Sequence, residues 1–347
     1  MATTSDGGVP RPPQRNVTIA DIARLAGVSV PTVSKVVNGR LEVAAATRAH
    51  VERVIHEHGY RRPNRSAVKP AASIELVFHE LAGVYPVEII NGVEQMAGVH
   101  HLGVLVSESR GHRVPGRGWI DDVLARSPLG VIAVFSDLSA EQRDKLAARG
   151  IPLVVLDPVG VPSDDLPSVG ATNWLGGLSV TRHLLDLGHR RIAAITGPAW
   201  ALCSRARLDG YRTALEAAGI PVDPALIRNG EFEIVDGVTH TAQLLALEDP
   251  PTAIFAFNDG MAIGVYHAAA EAGVRIPHDL SVVGFDDYLI DTWLTPPLTT
   301  VYQPLTEMGA SAARMILDLA QGIQPEHTRL ELATRLVVRR STAPPRR

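Results

Sequence analysis

The outward side of one short predicted helix carries side chains that could contact DNA. Apolar residues three and four positions apart share one helical face, so Val33, Val36 and Val37 turn toward a core. Small, hydroxyl-bearing and basic side chains remain on the opposite face, and a helix with such a face can enter the DNA major groove. Ser29 caps this helix. The outward residues are Val30, Pro31, Thr32, Ser34 and Lys35.

Two further helices are needed to hold that face in position. The first is predicted from Thr18 to Leu25, with Thr18 as its cap and Asp21 three residues later as the partner in a capping box. Gly27 allows the left-handed backbone that ends it. A third helix is predicted from about Thr47 to His58. Three such helices can enclose a small apolar core, which predicts an all-α helix-turn-helix headpiece.

The same stretch resembles a known family. The text VTIADIARLAGVSVPTVSKVVNGR, followed by TR and by GYRRPN, is similar to the DNA-binding headpiece of the LacI/GalR family of bacterial transcription regulators. This resemblance implies a DNA-binding domain over residues 16–64 and a hinge over residues 65–72. The DNA contacts that it implies lie at Thr18, Ile19, Ser29, Val30, Pro31, Thr32, Ser34, Lys35, Asn38, Asn64, Arg65 and Val68.

Two positions depart from the family pattern. Lys35 stands where the family usually has arginine, and lysine offers a point charge instead of a rigid fork for guanine. The hinge is short and contains Pro70, which disfavours helix at Lys69. Val68 is then a small wedge for the minor groove, while Arg65 and Lys69 are expected to contact phosphates.

Composition separates the headpiece from the rest of the chain. Residues 1–70 hold 11 basic and 5 acidic side chains, whereas the remaining residues hold 22 basic and 32 acidic ones. A basic module on an acidic body is typical of a nucleic-acid-binding domain joined to a domain with another task. Cys203 is the single cysteine, so the sequence predicts no disulfide within the chain and no cysteine-based metal site. We also expect no other metal site and no cofactor. The polar start lacks an apolar signal core, which predicts a cytoplasmic protein with a disordered tail over residues 1–15.

From Ser73 onward, apolar strand-like runs alternate with helical stretches. Continuous apolar strands between helices indicate buried parallel sheets. Two such series predict an α/β body of two doubly wound parallel-sheet lobes, and the resemblance implies the periplasmic-binding-protein-like type I arrangement with recrossings near the end. The body is expected over residues 73–340, before a tail at 341–347. The expected first lobe comprises about 73–170 plus 303–328, and the second about 171–302 plus 329–340.

Ligands of open parallel sheets bind outside the carboxyl ends of the strands. Carboxylate and amide groups placed there can hold the hydroxyls of a sugar, and Trp174 could add a flat apolar surface. Asp259 and Asp287 are expected to cap helices instead. The predicted ligand-contact residues, in part carried over from sugar-binding family members, are Tyr85, Ser136, Asp157, Arg207, Phe232, Asn258 and Asp286.

These residues are compatible with three kinds of function, which the sequence favours unequally. The first is a homodimeric repressor that binds a pseudo-palindromic double-stranded DNA operator and responds to a small effector, a mono- or oligosaccharide. The second is a periplasmic-type sugar-binding protein without a DNA role, which the headpiece and the missing signal core disfavour. The third is an enzyme, disfavoured because the chain has no GxSxG, HExxH, Walker or GxGxxG motif in a suitable context.

Overall fold

The computed structural model describes residues 18–37, 42–58, 73–109 and 114–346 of the chain. The chain divides into two compact units, Met1–Pro70 and Ala71–Arg347. The expected N-terminal tail and the hinge at 65–72 lie outside the described residues. Within the described ranges, none of the helices has both the length and the apolar character needed to span a bilayer.

The first unit is a three-helix headpiece, as the sequence predicts. The side chains of Ile22, Val33 and Val51, one from each helix, are fully buried together. Gly27 has a φ of +63° in the turn between the first two helices, which is the conformation that glycine adopts without strain. The helices are α1 (Ile19–Leu25), α2 (Val30–Val37) and α3 (Ala45–Glu57).

The first lobe of the second unit is built on a parallel six-stranded sheet. Alternate side chains of its central strands enter two different apolar layers: Leu76 faces one and its neighbour Val77 faces the other. Both layers are covered by helices, which explains why these strands are apolar throughout. The elements are β1 (Ser73–Phe78), α4 (Tyr85–Val99), β2 (Gly103–Glu108), α5 (Arg117–Arg126), β3 (Val131–Val134), α6 (Ala140–Ala148), β4 (Leu153–Leu156) and β5 (Ser168–Ala171).

The second lobe has a four-stranded parallel sheet and one continuous core, in which Phe255, Phe257 and Phe285 are fully buried. Two 3-10 turns, Pro224–Leu226 and Leu289–Thr292, lie in its connections. Its elements are α7 (Asn173–Asp186), β6 (Ile192–Thr196), α8 (Leu202–Ala217), β7 (Ile227–Asn229), α9 (Ile234–Leu245), β8 (Ala253–Ala256), α10 (Asp259–Glu271) and β9 (Ser281–Val283), and the strand order is β7-β6-β8-β9.

The last part of the chain returns to the first lobe twice. After β10 (Thr300–Tyr302), helix α11 (Leu305–Ala320) packs into the core of the first lobe. Strand β11 (Arg329–Leu332) then pairs in parallel with β5 and completes the order β11-β5-β4-β3-β1-β2. The sequence placed residues 329–332 in the second lobe, and this was wrong because a strand's partner is set by long-range pairing. The chain then crosses again to β12 (Arg335–Val337), which pairs antiparallel with β10.

The C-terminal segment, expected as a tail, is held on the second lobe as far as residue 346. Ser341 is fully buried, and its Oγ donates a 2.6 Å hydrogen bond to the Val282 carbonyl oxygen. The Ala343 N–H donates to the Ser281 hydroxyl at 3.0 Å, and the Ala343 carbonyl lies 2.9 Å from Nε2 of the buried His189. These hydrogen bonds add the segment to the edge of β9.

Candidate functional site

Helix α2 presents the side chains that the sequence expected on its outer face. The Ser29 hydroxyl accepts a 3.3 Å hydrogen bond from the Thr32 N–H and lies 2.8 Å from the Thr32 hydroxyl, so these two residues close the first turn. Val30 is exposed and Lys35 is half-exposed. The Lys35 ammonium lies 2.8 Å from the carboxylate of Glu42, a residue that the sequence analysis did not select. Pro31 is exposed, while Thr32 and Ser34 are partly buried.

Thr18 and Ile19 have structural tasks in the headpiece. The Thr18 hydroxyl accepts from the Asp21 N–H at 3.2 Å, and the Asp21 carboxylate accepts from the Thr18 N–H at 3.0 Å. The predicted capping box is therefore confirmed. Ile19 packs partly buried against the headpiece core. The expected contacts at Asn38, Asn64, Arg65 and Val68 lie outside the described residues.

A cavity of about 640 Å³ opens between the lobes of the second unit. Its walls come from turns at the carboxyl ends of strands in both lobes, as the sequence predicts for a ligand site. Six of the seven predicted ligand-contact residues line it, namely Tyr85, Asp157, Arg207, Phe232, Asn258 and Asp286.

Ser136 is the predicted residue that the cavity wall lacks. Strand β3 ends at Val134, one residue earlier than the sequence indicated, and the next residue, Phe135, lines the cavity in its place. The Ser136 side chain is buried, and its hydroxyl has no hydrogen-bond partner among the described residues. At this strand end, the cavity is therefore lined by Phe135, one position before the predicted Ser136.

Arg207, which lines the cavity, is the centre of a buried polar network. The Arg207 Nε donates to Asn173 at 2.8 Å, one terminal nitrogen donates to the Phe257 carbonyl, and the other donates to Gln303 at 2.7 Å. The second terminal nitrogen also lies 4.0 Å from the Asp286 carboxylate. Most of the hydrogen-bonding capacity of the guanidinium is thus satisfied by the protein.

Burial raises the pKa values of two carboxyl groups and one thiol in the cavity wall. Burial raises the pKa of Asp157, although a 2.6 Å hydrogen bond from Tyr85 and the charge of Arg207 act in the opposite direction. Burial raises the pKa of Asp286 well above its usual range, and Arg207 again opposes the shift. Burial likewise raises the pKa of the Cys203 thiol, to about 12, so this wall residue is a poor nucleophile.

Four of the wall residues have a left-handed backbone. The φ angles are +48° at Phe135, +47° at Asp157, +70° at Phe232 and +127° at Asp286. Non-glycine residues rarely adopt this region, and they persist there when the surrounding structure enforces it. Each of the four lies in the segment that follows a strand, and the turn at that residue directs its side chain into the cavity.

Aromatic rings from both lobes face one another across the cavity. The Phe135 ring centroid lies 6.3 Å from that of Phe232 and 6.3 Å from that of Trp200, and the His79 ring lies 5.1 Å from Trp200. Tyr85 extends this group at 5.3 Å from Phe135. Such rings provide flat surfaces for the apolar face of a ligand. Trp174, expected in this role, lines a neighbouring cavity instead.

Asn258 and Asp259 each make hydrogen bonds that hold the turns beside the cavity. The Asn258 Oδ1 accepts from the Met261 N–H at 2.8 Å and so caps α10, while its Nδ2 donates to the Phe232 carbonyl at 2.9 Å. Asp259, expected as a cap, instead accepts from the Asp287 N–H at 2.7 Å and the Thr300 hydroxyl at 2.6 Å. Asp259 thereby fixes the turn that carries Asp286.

His79, Phe135, Trp200 and Gln303 are wall or network residues that the sequence analysis missed. His79, Phe135 and Gln303 directly follow β1, β3 and β10, so the strand-end signal could have found them. Trp200 lies in the loop after β6, which carries no such signal. Among the described residues, the Nδ1 atom of His79 has no hydrogen-bond partner.

Comparisons with known proteins agree with both units. Residues 18–64 match the family model of bacterial regulatory proteins of the lacI family, and residues 181–342 match that of a periplasmic binding protein-like domain. Catabolite control protein A of Priestia megaterium is 30% identical over 332 residues, which cover 94% of this chain and 99% of the relative. The HTH-type transcriptional repressor CytR of Escherichia coli K12 is 33% identical over 332 residues, covering 94% and 96% of the two chains.

A solved structure, a complex of the transcriptional regulator CelR with cellobiose, superimposes with a TM-score of 0.72 at 34% identity and covers 93% of this chain and 99% of that one. The lac repressor dimer bound to operator and an anti-inducer gives a TM-score of 0.70 at 32% identity, covering 95% and 100%. The relatives are transcriptional regulators and not enzymes. This chain therefore belongs to the lacI family of bacterial regulatory proteins, and it is a DNA-binding transcriptional regulator.

Proposed function

We propose that the chain is a cytoplasmic repressor whose affinity for an operator is controlled by an uncharged saccharide in the cavity of the second unit. One observation carries this proposal: a helix with an exposed Lys35 belongs to the same chain as a 640 Å³ cavity lined by aromatic rings and hydrogen-bonding groups. The first feature supplies DNA contact and the second supplies ligand recognition.

The chemistry of the cavity favours a neutral polyhydroxylated ligand. Asp157 and Asp286 offer carboxyl oxygens to hydroxyl groups, and Glu231 and Glu233 add acidic groups to the wall. Arg207 is the one arginine or lysine among the described wall residues, and three protein acceptors already take its hydrogen bonds. A phosphorylated ligand would therefore find few free cationic donors in this wall. The relative CelR is described as a complex with cellobiose, which is a neutral disaccharide.

The expected partner of this chain is a second copy of itself. Two large apolar side chains beside the cavity-forming turn, Leu289 and Trp293, are 79% and 77% exposed. Exposed apolar groups of this size are typical of a protein interface. The related lac repressor is described as a dimer on its operator, and two α2 helices would occupy the two halves of a pseudo-palindrome.

A sugar-binding protein without a DNA role is the competing proposal. It accounts for the cavity but leaves the headpiece without a purpose. The match of residues 18–64 to the lacI family model favours the repressor.

Two variants test the repressor proposal. Binding to a duplex enriched from a randomised pool is measured by fluorescence anisotropy, and ligand binding is measured by thermal shift with a panel of mono- and oligosaccharides. Lys35→Ala should weaken DNA binding and leave the saccharide-induced shift unchanged. Asp286→Ala should leave DNA binding intact and abolish the response of that binding to the saccharide. Loss of both properties in Lys35→Ala, or a normal response in Asp286→Ala, would contradict the proposal.

A further inference from the structure

The ion pair between Lys35 and Glu42 joins α2 to the segment that precedes α3. The Lys35 side chain is 49% exposed and the Glu42 side chain 63% exposed, so both charges remain in contact with solvent. An exposed pair of this kind contributes little to stability. Its importance must therefore come from the surface on which it lies.

That surface is the one expected to face DNA. The 2.8 Å contact is made by the terminal ammonium of Lys35, so the Glu42 carboxylate lies wherever that ammonium is presented. Near a duplex, a carboxylate is repelled by phosphates unless it finds a hydrogen-bond donor. In the major groove the donors are the amino groups of cytosine and adenine, whereas lysine prefers guanine O6 and N7.

A G·C base pair offers both partners at a matching distance. Guanine O6 and cytosine N4 are hydrogen-bonded to each other within the pair, so they are separated by about 3 Å. This is close to the 2.8 Å that separates the Lys35 nitrogen from the Glu42 oxygen. A donor and an acceptor held side by side therefore complement the major-groove edge of one G·C pair.

We propose that Glu42 is a specificity-determining residue that acts together with Lys35 on one G·C pair of each operator half-site. Lys35 donates to guanine O6 or N7, and Glu42 accepts from N4 of the paired cytosine. This inference depends on the proposed DNA-binding role of α2. Glu42 also offsets the charge of Lys35, which lowers binding to DNA of unrelated sequence.

Removal of the Glu42 carboxylate should lower the preference for the G·C pair and raise the affinity for DNA of unrelated sequence. Compared with the wild-type chain, Glu42→Ala should lose about tenfold discrimination against replacement of that G·C pair. Its affinity for a scrambled duplex should rise. The slope of log affinity against log salt concentration should steepen by up to about one, which corresponds to one more released counterion. Glu42→Gln keeps an accepting oxygen, so it should raise background binding while retaining part of the base preference.

The experiment compares full-length wild-type protein, Glu42→Ala, Glu42→Gln and Glu57→Gln. Each is used to select duplexes from a randomised pool, and anisotropy then gives its affinity for the selected and scrambled duplexes at several salt concentrations. Glu57 is an exposed acid at the end of α3, so Glu57→Gln makes the same change of net charge elsewhere in the headpiece. It should leave base preference unchanged.

The outcomes separate this inference from the proposed function. If Glu42→Ala selects the same base pair as strongly as the wild type, Glu42 does not determine specificity, although the repressor proposal stands. An equal rise of background binding in Glu57→Gln, without loss of preference in Glu42→Ala, would show a general charge effect and overturn the inference. If the wild-type chain selects no sequence at all, the repressor proposal itself fails. Circular dichroism of each variant confirms that the headpiece is folded.

Discussion

Gln303 accepts a 2.7 Å hydrogen bond from the guanidinium of Arg207, and its own amide nitrogen lies 3.4 Å from the Asp157 carboxylate. Arg207 belongs to α8 of the second lobe, whereas Asp157 follows β4 of the first. Gln303 lies on the segment that crosses between them and is 2% exposed. A single buried amide therefore joins a cation of one lobe to an acid of the other, and both of these charged residues line the cavity.

Gln303→Ala should uncouple the two lobes at the cavity. The buried Arg207 and Asp157 would each lose a partner, which should cost roughly 1–3 kcal/mol of unfolding free energy. Calorimetry should also show weaker binding of whichever saccharide gives the largest thermal shift. Gln321→Ala, at an exposed position after α11, is the matched control and should change neither quantity. Equal behaviour of the two variants would contradict a linking role for Gln303.

Removal of the Arg207 charge should lower the unfolding free energy, because the buried Asp286 loses its nearby cation. Arg207→Met keeps much of the side-chain volume but leaves Asp286 without a cation, so we expect a loss of about 3–5 kcal/mol. Asp286→Asn in the same chain should recover part of this loss, because the uncompensated charge is removed. Urea unfolding of the two single variants and the double variant gives the coupling energy, and a coupling of zero would show that the 4.0 Å pair is not energetically linked.

Asp291 should make the protein less stable as pH rises. Its carboxyl is fully buried, none of the described residues donates a hydrogen bond to it, and burial followed by the charge of Asp259 raises its pKa to about 10. The folded chain therefore keeps a proton that the unfolded chain releases above pH ~4. The contribution of this protonated carboxyl to the unfolding free energy is fully present below that pH and decreases as pH rises toward 10.

Asp291→Asn replaces the protonated carboxyl by a permanent donor to Asp259. The decline of unfolding free energy between pH 6.5 and 8.5 should become shallower by up to about 1.4 kcal/mol per pH unit, as measured by urea unfolding. Asp164→Asn, which changes a fully exposed acid, should retain the decline of the wild type. The same decline in Asp291→Asn would show that Asp291 is ionised in the folded chain.

The aromatic wall should determine ligand affinity without affecting DNA contact. Trp200→Ala removes the ring that faces both His79 and Phe135, so the saccharide should bind about tenfold more weakly. Trp174→Ala, which alters a tryptophan outside this wall, should bind it normally. Calorimetry measures the saccharide affinity, and anisotropy checks that binding to the ligand-free operator duplex is unchanged. Equal losses in both variants would assign the effect to overall stability.

The sequence predicted the helices and central strands well because their apolar spacing is local information. Strand β5 is hard to recognise from sequence because it is four residues long and follows a loop rich in proline and aspartate. The pairing of β11 with β5 brings together segments about 160 residues apart, which no local pattern encodes. Ser136 does not line the cavity for a finer reason: a left-handed turn at Phe135 decides which side chain faces it. The Lys35–Glu42 contact likewise depends on how the segment before α3 folds back toward α2.

The hydrogen-bonded C-terminal segment determines how this protein can be labelled. Ser341 and Ala343 complete the edge of β9, so removing them would take one hydrogen-bond partner each from Val282, Ser281 and His189 inside the second lobe. A reporter or affinity tag is therefore better fused after Arg347 through a flexible linker than spliced onto a trimmed end. Trimming enzymes that digest from the carboxyl end should stall on this segment for the same reason.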